Sequence, residues 1–352
     1  MKRYAIILQG LAAAVALAGS ALAQTAPVRP QASPDMVAHA AADYRARSRL
    51  PDWITPLAPG DADPVMAKRI PTRQRLANAD GLALSVWCSD IRYEAGDTVT
   101  VHAQLDTEAL SDDDMPERPG RRERLKGDFS MKAVVAGRIG GTIAEIVLRD
   151  DGLGRDDRRG DGIYSASFTL DPAYRPDMGY AETYSVIVSA EDRSGETVRA
   201  VGGFLYSRPA ATLTGAFRDR LVDGDLVIEA EVDVAEEGRF HLMGTLASAR
   251  GEALVSAQSA SVLAPGRHWM ALDFYGLALS ERKASGPLRL ESVTLTTANG
   301  MPNALGPVIE KAYRTAAYRP SDFHSRPFED ARMIDSAGRL EKIETARQAR
   351  QR

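Results

Sequence analysis

From Leu82 to about Tyr206, apolar side chains recur at every second position. Val99, Val101, Ala103 and Leu105 alternate with Thr98, Thr100, His102 and Gln104. Phe129, Met131, Ala133 and Val135 repeat the pattern, as do Tyr184, Val186, Val188 and Ala190. A two-residue period is that of a strand with one dry face and one wet face. The runs are short and bounded by turn-forming groups such as Ala95-Gly96-Asp97 and Asp192-Arg193-Ser194-Gly195. About seven such strands in roughly 120 residues predict a two-sheet sandwich of immunoglobulin-like build. Ser111 to Asp128 break the pattern with a charged stretch, expected as a solvated loop.

A second alternating region starts near Ala211. Leu226, Ile228, Ala230, Val232 and Val234 share one parity, while Val227, Glu229, Glu231 and Asp233 share the other. Alternation this clean predicts an antiparallel strand with one wet face. Phe240, Leu242, Gly244 and Leu246 follow the turn at Glu237-Gly238, and Met270, Leu272 and Phe274 follow Ala264-Pro265-Gly266. In Leu288, Leu290, Val293 and Leu295 the phase slips by one residue, which predicts a bulge near Glu291 and Ser292. The expected fold is all-β: two tandem immunoglobulin-like antiparallel β-sandwiches, over 82–208 and 209–320.

The flanks differ. Residues 24–81 form a Pro-rich leader whose eight prolines between Pro27 and Pro71 exclude one long regular element. Within this otherwise irregular segment, Asp35 to Arg47 is expected as a short helix, and Trp53, Ile54 and Leu57 as its anchors onto a neighbouring domain. Residues 321–352 form a charged tail, partly helical from Asp330 onward, with Met333, Leu340 and Ile343 as main apolar positions and Gly338 as an interruption. A helix of this size seldom persists alone in water, so it packs on a surface or frays.

The first 23 residues read as a secretory signal peptide. Lys2 and Arg3 precede an apolar segment, and Ala21-Leu22-Ala23 forms a small-x-small cleavage site. The other reading is an uncleaved anchor; nothing downstream is apolar enough to span a bilayer. The expected location is periplasmic or extracellular. With 44 Lys and Arg against 48 Asp and Glu, the full chain has a net charge of −4. Cleavage makes it more negative, because Lys2 and Arg3 leave. That balance argues against nucleic-acid binding, which usually needs a basic face. Cys88, the single cysteine, has no internal disulfide partner and shares parity with Leu82, Leu84 and Val86, so it reads as a small buried hydrophobe.

Candidate chemistry concentrates in one loop, Asp150-Asp151-Gly152-Leu153-Gly154-Arg155-Asp156-Asp157-Arg158-Arg159-Gly160-Asp161-Gly162. Asp150, Asp151, Asp156, Asp157 and Asp161 supply oxygens, and glycines let a backbone wrap an ion, so calcium is the candidate cofactor. The spacing is not that of an EF-hand. The alternative is a solvent-exposed hairpin in which aspartates cap backbone N–H groups, glycines take positive φ, and Arg155, Arg158 and Arg159 neutralise the carboxylates.

This loop, with the following Ile163-Tyr164, resembles a motif of secreted bacterial multi-sandwich proteins of the choice-of-anchor X type. Thr214-Gly215-Ala216-Phe217, Gly286-Pro287-Leu288, and Ala312 to Tyr318 with Asp322-Phe323 also recur in that family's order. The resemblance covers about Leu82 to Phe323 and implies tandem β-sandwiches in an exported protein. It implies no activity and no catalytic residues. Related C-terminal domains carry a longer Asp-Gly repeat where this chain keeps only Asp223-Gly224-Asp225.

Catalytic signatures are otherwise sparse. The sequence has no Gly-x-Ser-x-Gly elbow, and its five histidines are too dispersed for a helical zinc motif. Trp269 shares parity with Arg267, not with Met270, Leu272 and Phe274, so the two form a candidate ligand-binding pair on the opposite face. An indole beside a guanidinium could stack on a sugar or fill a partner's pocket, while burial against the other sandwich is the more ordinary outcome. The expected function is non-catalytic binding of protein or glycan at the envelope or outside the cell. The alternatives are a polysaccharide-acting hydrolase or lyase, and a structural spacer.

Overall fold

The computed structural model describes residues 34–77, 82–107, 123–124, 129–137, 141–172, 179–192 and 195–351. The expected signal peptide over 1–23, and most of the charged stretch from Ser111 to Asp128, lie outside the described residues. Helix α1 (Pro34–Arg47) comes first, then strand β1 (Ile54–Pro56) and the one-turn helix α2 (Pro64–Ala67). The leader is therefore more regular than its prolines predict. Pro34 and Pro64 each sit at a helix start, where a missing N–H costs nothing.

The first sandwich comprises β2 (Gln74–Ala77), β3 (Leu82–Cys88), β4 (Arg92–Tyr93), β5 (Thr98–Thr107), β6 (Glu123–Arg124), β7 (Ser130–Gly137), β8 (Thr142–Leu148), β9 (Ile163–Thr169), β10 (Ala181–Glu191) and β11 (Thr197–Ser207). One sheet runs β2-β3-β5, with both β6 and β9 paired to β5; the other runs β4-β11-β10-β7-β8. Val99, Val101, Ala103 and Leu105 face Met131, Val135, Tyr184 and Val186 in one buried cluster. Each large side chain removed from water here contributes about 1.5–3 kcal/mol. Cys88 lies in this core, and burial pushes its thiol up to about 12, which suppresses the reactive thiolate near neutral pH.

The second sandwich comprises β12 (Ala211–Val222), β13 (Asp225–Val234), β14 (Gly238–Ala247), β15 (Ala253–Leu263), β16 (Gly266–Phe274), the short helix α3 (Gly276–Glu281), β17 (Arg289–Thr297) and β18 (Ala304–Arg314); helix α4 (Ala331–Gln351) follows. A three-stranded sheet, β12-β13-β16, packs on a five-stranded one, β1-β15-β14-β17-β18. Leu226, Ile228, Leu272 and Phe274 meet Phe240, Leu242, Leu290 and Leu295 between them. The bulge falls where the phase slip places it. Leu290 pairs with Leu246 and Ser292 with Thr245, so Glu291 has no opposite residue.

The five-stranded sheet includes a strand from the leader. Ile54, Thr55 and Pro56 pair antiparallel with Ala257, Ser256 and Val255, so the leader passes the first sandwich and adds an edge strand to the second. Asp63 fixes the next turn. Its Oδ1 accepts from Val65 N at 2.8 Å, capping α2, and from Thr245 Oγ1 at 2.7 Å; its Oδ2 accepts from Ser292 Oγ at 2.6 Å. Ile54, Leu57 and Val65 are buried there.

The C-terminal helix is continuous. Gly338 does not interrupt it, a departure from the sequence expectation, because an interior glycine costs only about 1 kcal/mol and α4 packs along α1. Ala41 and Ala337 are buried, and Arg45 donates to both oxygens of Glu341 at 3.0 and 2.9 Å. No helix among the described residues is long and apolar enough to cross a membrane.

Candidate functional site

The Asp/Gly loop links β8 to β9, and its base is closed by two backbone hydrogen bonds between Arg149 and Ser165, at 3.0 and 2.8 Å. Gly152, Gly154, Gly160 and Gly162 all take positive φ, between 66° and 83°. At Gly152 the requirement is double, because a β-carbon would also sit 2.9 Å from Arg159 N. Asp150 accepts from the backbone N–H groups of Gly160, Asp161 and Gly162, Asp156 from Gly152, Asp161 from Ile163, and Asp151 from Leu153.

Three of the five predicted ligands come together. Asp150, Asp156 and Asp161 each offer an oxygen within 4.8 Å of the others, and Asp156 is buried. Asp151 and Asp157 are outside this group. Arg155, Arg158 and Arg159 are exposed, and among the described residues they form no ion pair with these carboxylates. The three carboxylates can supply part of the about six to eight oxygens that Ca²⁺ takes.

Behind the loop is a polar face that sequence reasoning did not assemble. His102 Nε2 is 2.8 Å from Ser89 Oγ, and its Nδ1 is 2.8 Å from Ser165 Oγ. The ring stacks on Trp87 at 5.4 Å, and the Arg73 guanidinium covers the other ring system at 4.2 Å from the indole centroid. Burial lowers the His102 pKa, against the pull of Asp157 and Asp156.

The parity of Trp269 correctly separates it from the core. Met270, Leu272 and Phe274 are buried, whereas Trp269 is 38% exposed on the outer face of β12-β13-β16. It is not buried against the first sandwich. Glu231 stands opposite it on β13, and the Arg218 guanidinium lies 4.2 Å from the indole centroid, in cation–π range. Arg218 also donates from Nε to Glu229 at 2.7 Å, and Arg220 donates to the same carboxylate. These two guanidiniums hold the Glu229 carboxyl below its usual range. Arg267 reaches Glu231 at 3.8 Å and is itself exposed. Trp269 and Arg267 therefore belong to one Arg/Glu ladder, with Arg218 as the residue that parity alone could not supply.

Further along the same face, Asp225 Oδ1 accepts from Gly276 N at 2.6 Å and pairs with His324 Nε2 at 2.8 Å. Asp273 lies beside them, with a buried Oδ1 that has no hydrogen-bond partner. Burial, then the Asp225 carboxylate, raises the Asp273 pKa. On the edge strand, Asp219 accepts from Tyr313 OH at 2.6 Å and from Tyr318 OH, which explains why both tyrosines of the Ala312 to Tyr318 stretch close the second core.

Residues 210–303 match the family model described as Domain of unknown function (DUF4785) C-terminal domain, which covers most of the second sandwich. No curated protein matches the chain. A solved DUF4785 family protein from Legionella pneumophila subsp. pneumophila str. Philadelphia 1 is 22% identical with a TM-score of 0.42, over 69% of this chain and 59% of that one. The chain thus spans about three fifths of the length of that protein. The sporulation control protein Spo0M from Bacillus subtilis is 9% identical with a TM-score of 0.24, over 44% of this chain and 68% of that one. Squid arrestin is 8% identical with a TM-score of 0.21, over 69% and 97%. What the family model shows is that residues 210–303 are similar to a domain of unknown function; none of the comparisons points to the choice-of-anchor X type.

Proposed function

We propose that this is an exported, non-catalytic protein that binds a protein or glycan at the cell envelope or beyond it, through the outer face of β12-β13-β16. The observation that carries this reading is the exposure of Trp269 on an open sheet face, with Arg218 stacked on it and the exposed Arg267 paired with Glu231 beside it. Aromatic and arginine side chains held in place before binding lose little entropy on contact and dominate recognition surfaces. Kinship with exported multi-sandwich proteins of the choice-of-anchor X type is part of the proposal and rests on the loop and tail motifs.

The test is a glycan array together with a pull-down from an envelope extract, using wild type and Trp269→Ala. Capture that falls at least ~10-fold in the variant, about 1.4 kcal/mol, supports the reading. A hydrolase or lyase would instead shorten the captured polysaccharide, and a spacer would capture nothing.

A calcium site in the Asp/Gly loop is a second reading, supported by the convergence of Asp150, Asp156 and Asp161. Calorimetry on metal-stripped protein is expected to show Ca²⁺ binding that Asp156→Asn abolishes. No binding heat and no change in melting temperature with Ca²⁺ would remove it.

A further inference from the structure

Away from the sheet face and the Asp/Gly loop, a cavity of about 500 Å³ opens between the β14–β15 turn and the segment after α3. That volume is within the range of small-molecule sites. The turn contributes Ser248, Arg250 and Glu252, and the other wall contributes Glu281, Arg282 and Lys283. Both glutamates already have a cation. Arg282 Nη2 is 3.4 Å from Glu252 Oε1, and Arg49, from the leader, donates to Glu281 Oε1 at 2.8 Å. Arg250 and Lys283 have no acidic partner among the described residues. The wall therefore carries two uncompensated positive charges.

Lys283 is also in an unusual place. After α3, Lys283 N donates to Ser280 O and Ala284 N to Leu279 O, both at 2.9 Å, the paired bonds of a Schellman helix stop. In such a stop the donor of the first bond is left-handed, and that residue, Lys283, has φ 49°. Glycine normally fills this position, because any β-carbon is penalised there. This chain instead puts a long cation at the cavity wall. Ser248 Oγ accepts from Arg250 N and Glu252 N, at 3.3 Å each, which leaves its hydroxyl proton available to a ligand.

We propose that this cavity binds a small oxyanion ligand carrying two negative charges, matched by Arg250 and Lys283 and oriented by the Ser248 hydroxyl. Charge matching sets the valence: a monoanion leaves one cation unpaired, and a neutral sugar leaves both. Phosphate and dicarboxylate groups share this chemistry.

The test is calorimetric titration of the full chain with inorganic phosphate and, separately, with succinate, at low ionic strength near pH 8. One-to-one binding of either probe is expected, and the one that binds identifies the ligand class. Lys283→Gly and Arg250→Gln should each weaken it at least ~10-fold, about 1.4 kcal/mol. Lys283→Gly should meanwhile raise the melting temperature, since glycine relieves the left-handed strain; a weaker ligand in a more stable protein cannot be ascribed to misfolding. Failure of both probes to bind wild type overturns the proposal. So does undiminished binding by the two variants.

Discussion

His324 Nε2 lies 2.8 Å from Asp225 Oδ1, and this pair joins the C-terminal segment to the first residue of β13. Both side chains are mostly buried, and the Tyr275 ring stands edge-on to the imidazole at 4.6 Å. Phe328, four residues on, meets both Tyr275 and Trp53 edge-on, so the tail and the leader share one aromatic joint. His324→Ala leaves Asp225 with the Gly276 N–H alone. A loss of about 1–3 kcal/mol is expected, read by urea denaturation, with faster amide exchange in α4 than in β13. Unchanged exchange in α4 would show that the helix is held by α1 instead.

Asp273 predicts a stability profile of defined sign. Its folded-state pKa is raised, by burial first and by Asp225 second. A carboxyl of this kind favours folding below its unfolded pKa, and the benefit is lost as pH rises through the folded value. Asp273→Asn keeps the shape without the charge. Its melting temperature relative to wild type should therefore increase as pH goes from about 3 to about 7. A difference independent of pH would contradict this.

The Asp219 clamp can be tested at both tyrosines. Tyr313→Phe and Tyr318→Phe each remove one hydroxyl donor to the same carboxylate. Each change should cost about 1 kcal/mol, and the double variant should depart from additivity because the partner is shared. Burial, with Asp219, holds Tyr313 up to about 12. Its contribution should be fully present below the unfolded tyrosine pKa of about 10 and be lost as pH rises from there through the folded value. Ultraviolet titration of wild type against Tyr313→Phe reads this directly.

Gly152 tests the Asp/Gly loop without any ligand. Its φ is 71° and an added β-carbon would meet Arg159 N at 2.9 Å. Gly152→Ala should cost about 1–3 kcal/mol. Gly154→Ala, with open space around the same φ sign, should cost less. Equal effects in thermal melts would mean that strain, and not the close approach, sets the cost.

Much of the fold was legible as parity. Val99 to Leu105 and Leu226 to Val234 face the cores they predict, and Glu291 sits at the bulge that the phase slip marks. The glycines of the Asp/Gly loop take the positive φ that such a loop demands. Of its five aspartates, the sequence could not separate Asp150, Asp156 and Asp161 from Asp151 and Asp157. Which carboxylates turn toward one another depends on how the loop closes over β5 and β9. Trp269 was placed on its face correctly, yet Arg218 was invisible beside it. The two are on strands that are not even adjacent, β12 and β16, on either side of β13.

Alternation along the chain was enough to establish strands, their wet and dry faces, and the turns between them, because those follow from a two-residue repeat and local backbone preferences. Distant meetings needed the folded molecule: Asp63 with Thr245 and Ser292, Ile54 with Ala257, His324 with Asp225, Arg49 with Glu281 beside Lys283. No short-range signal encodes them. They arise when the leader and the C-terminal segment dock on the second sandwich and bring together residues whose own neighbours in sequence carry no trace of the contact.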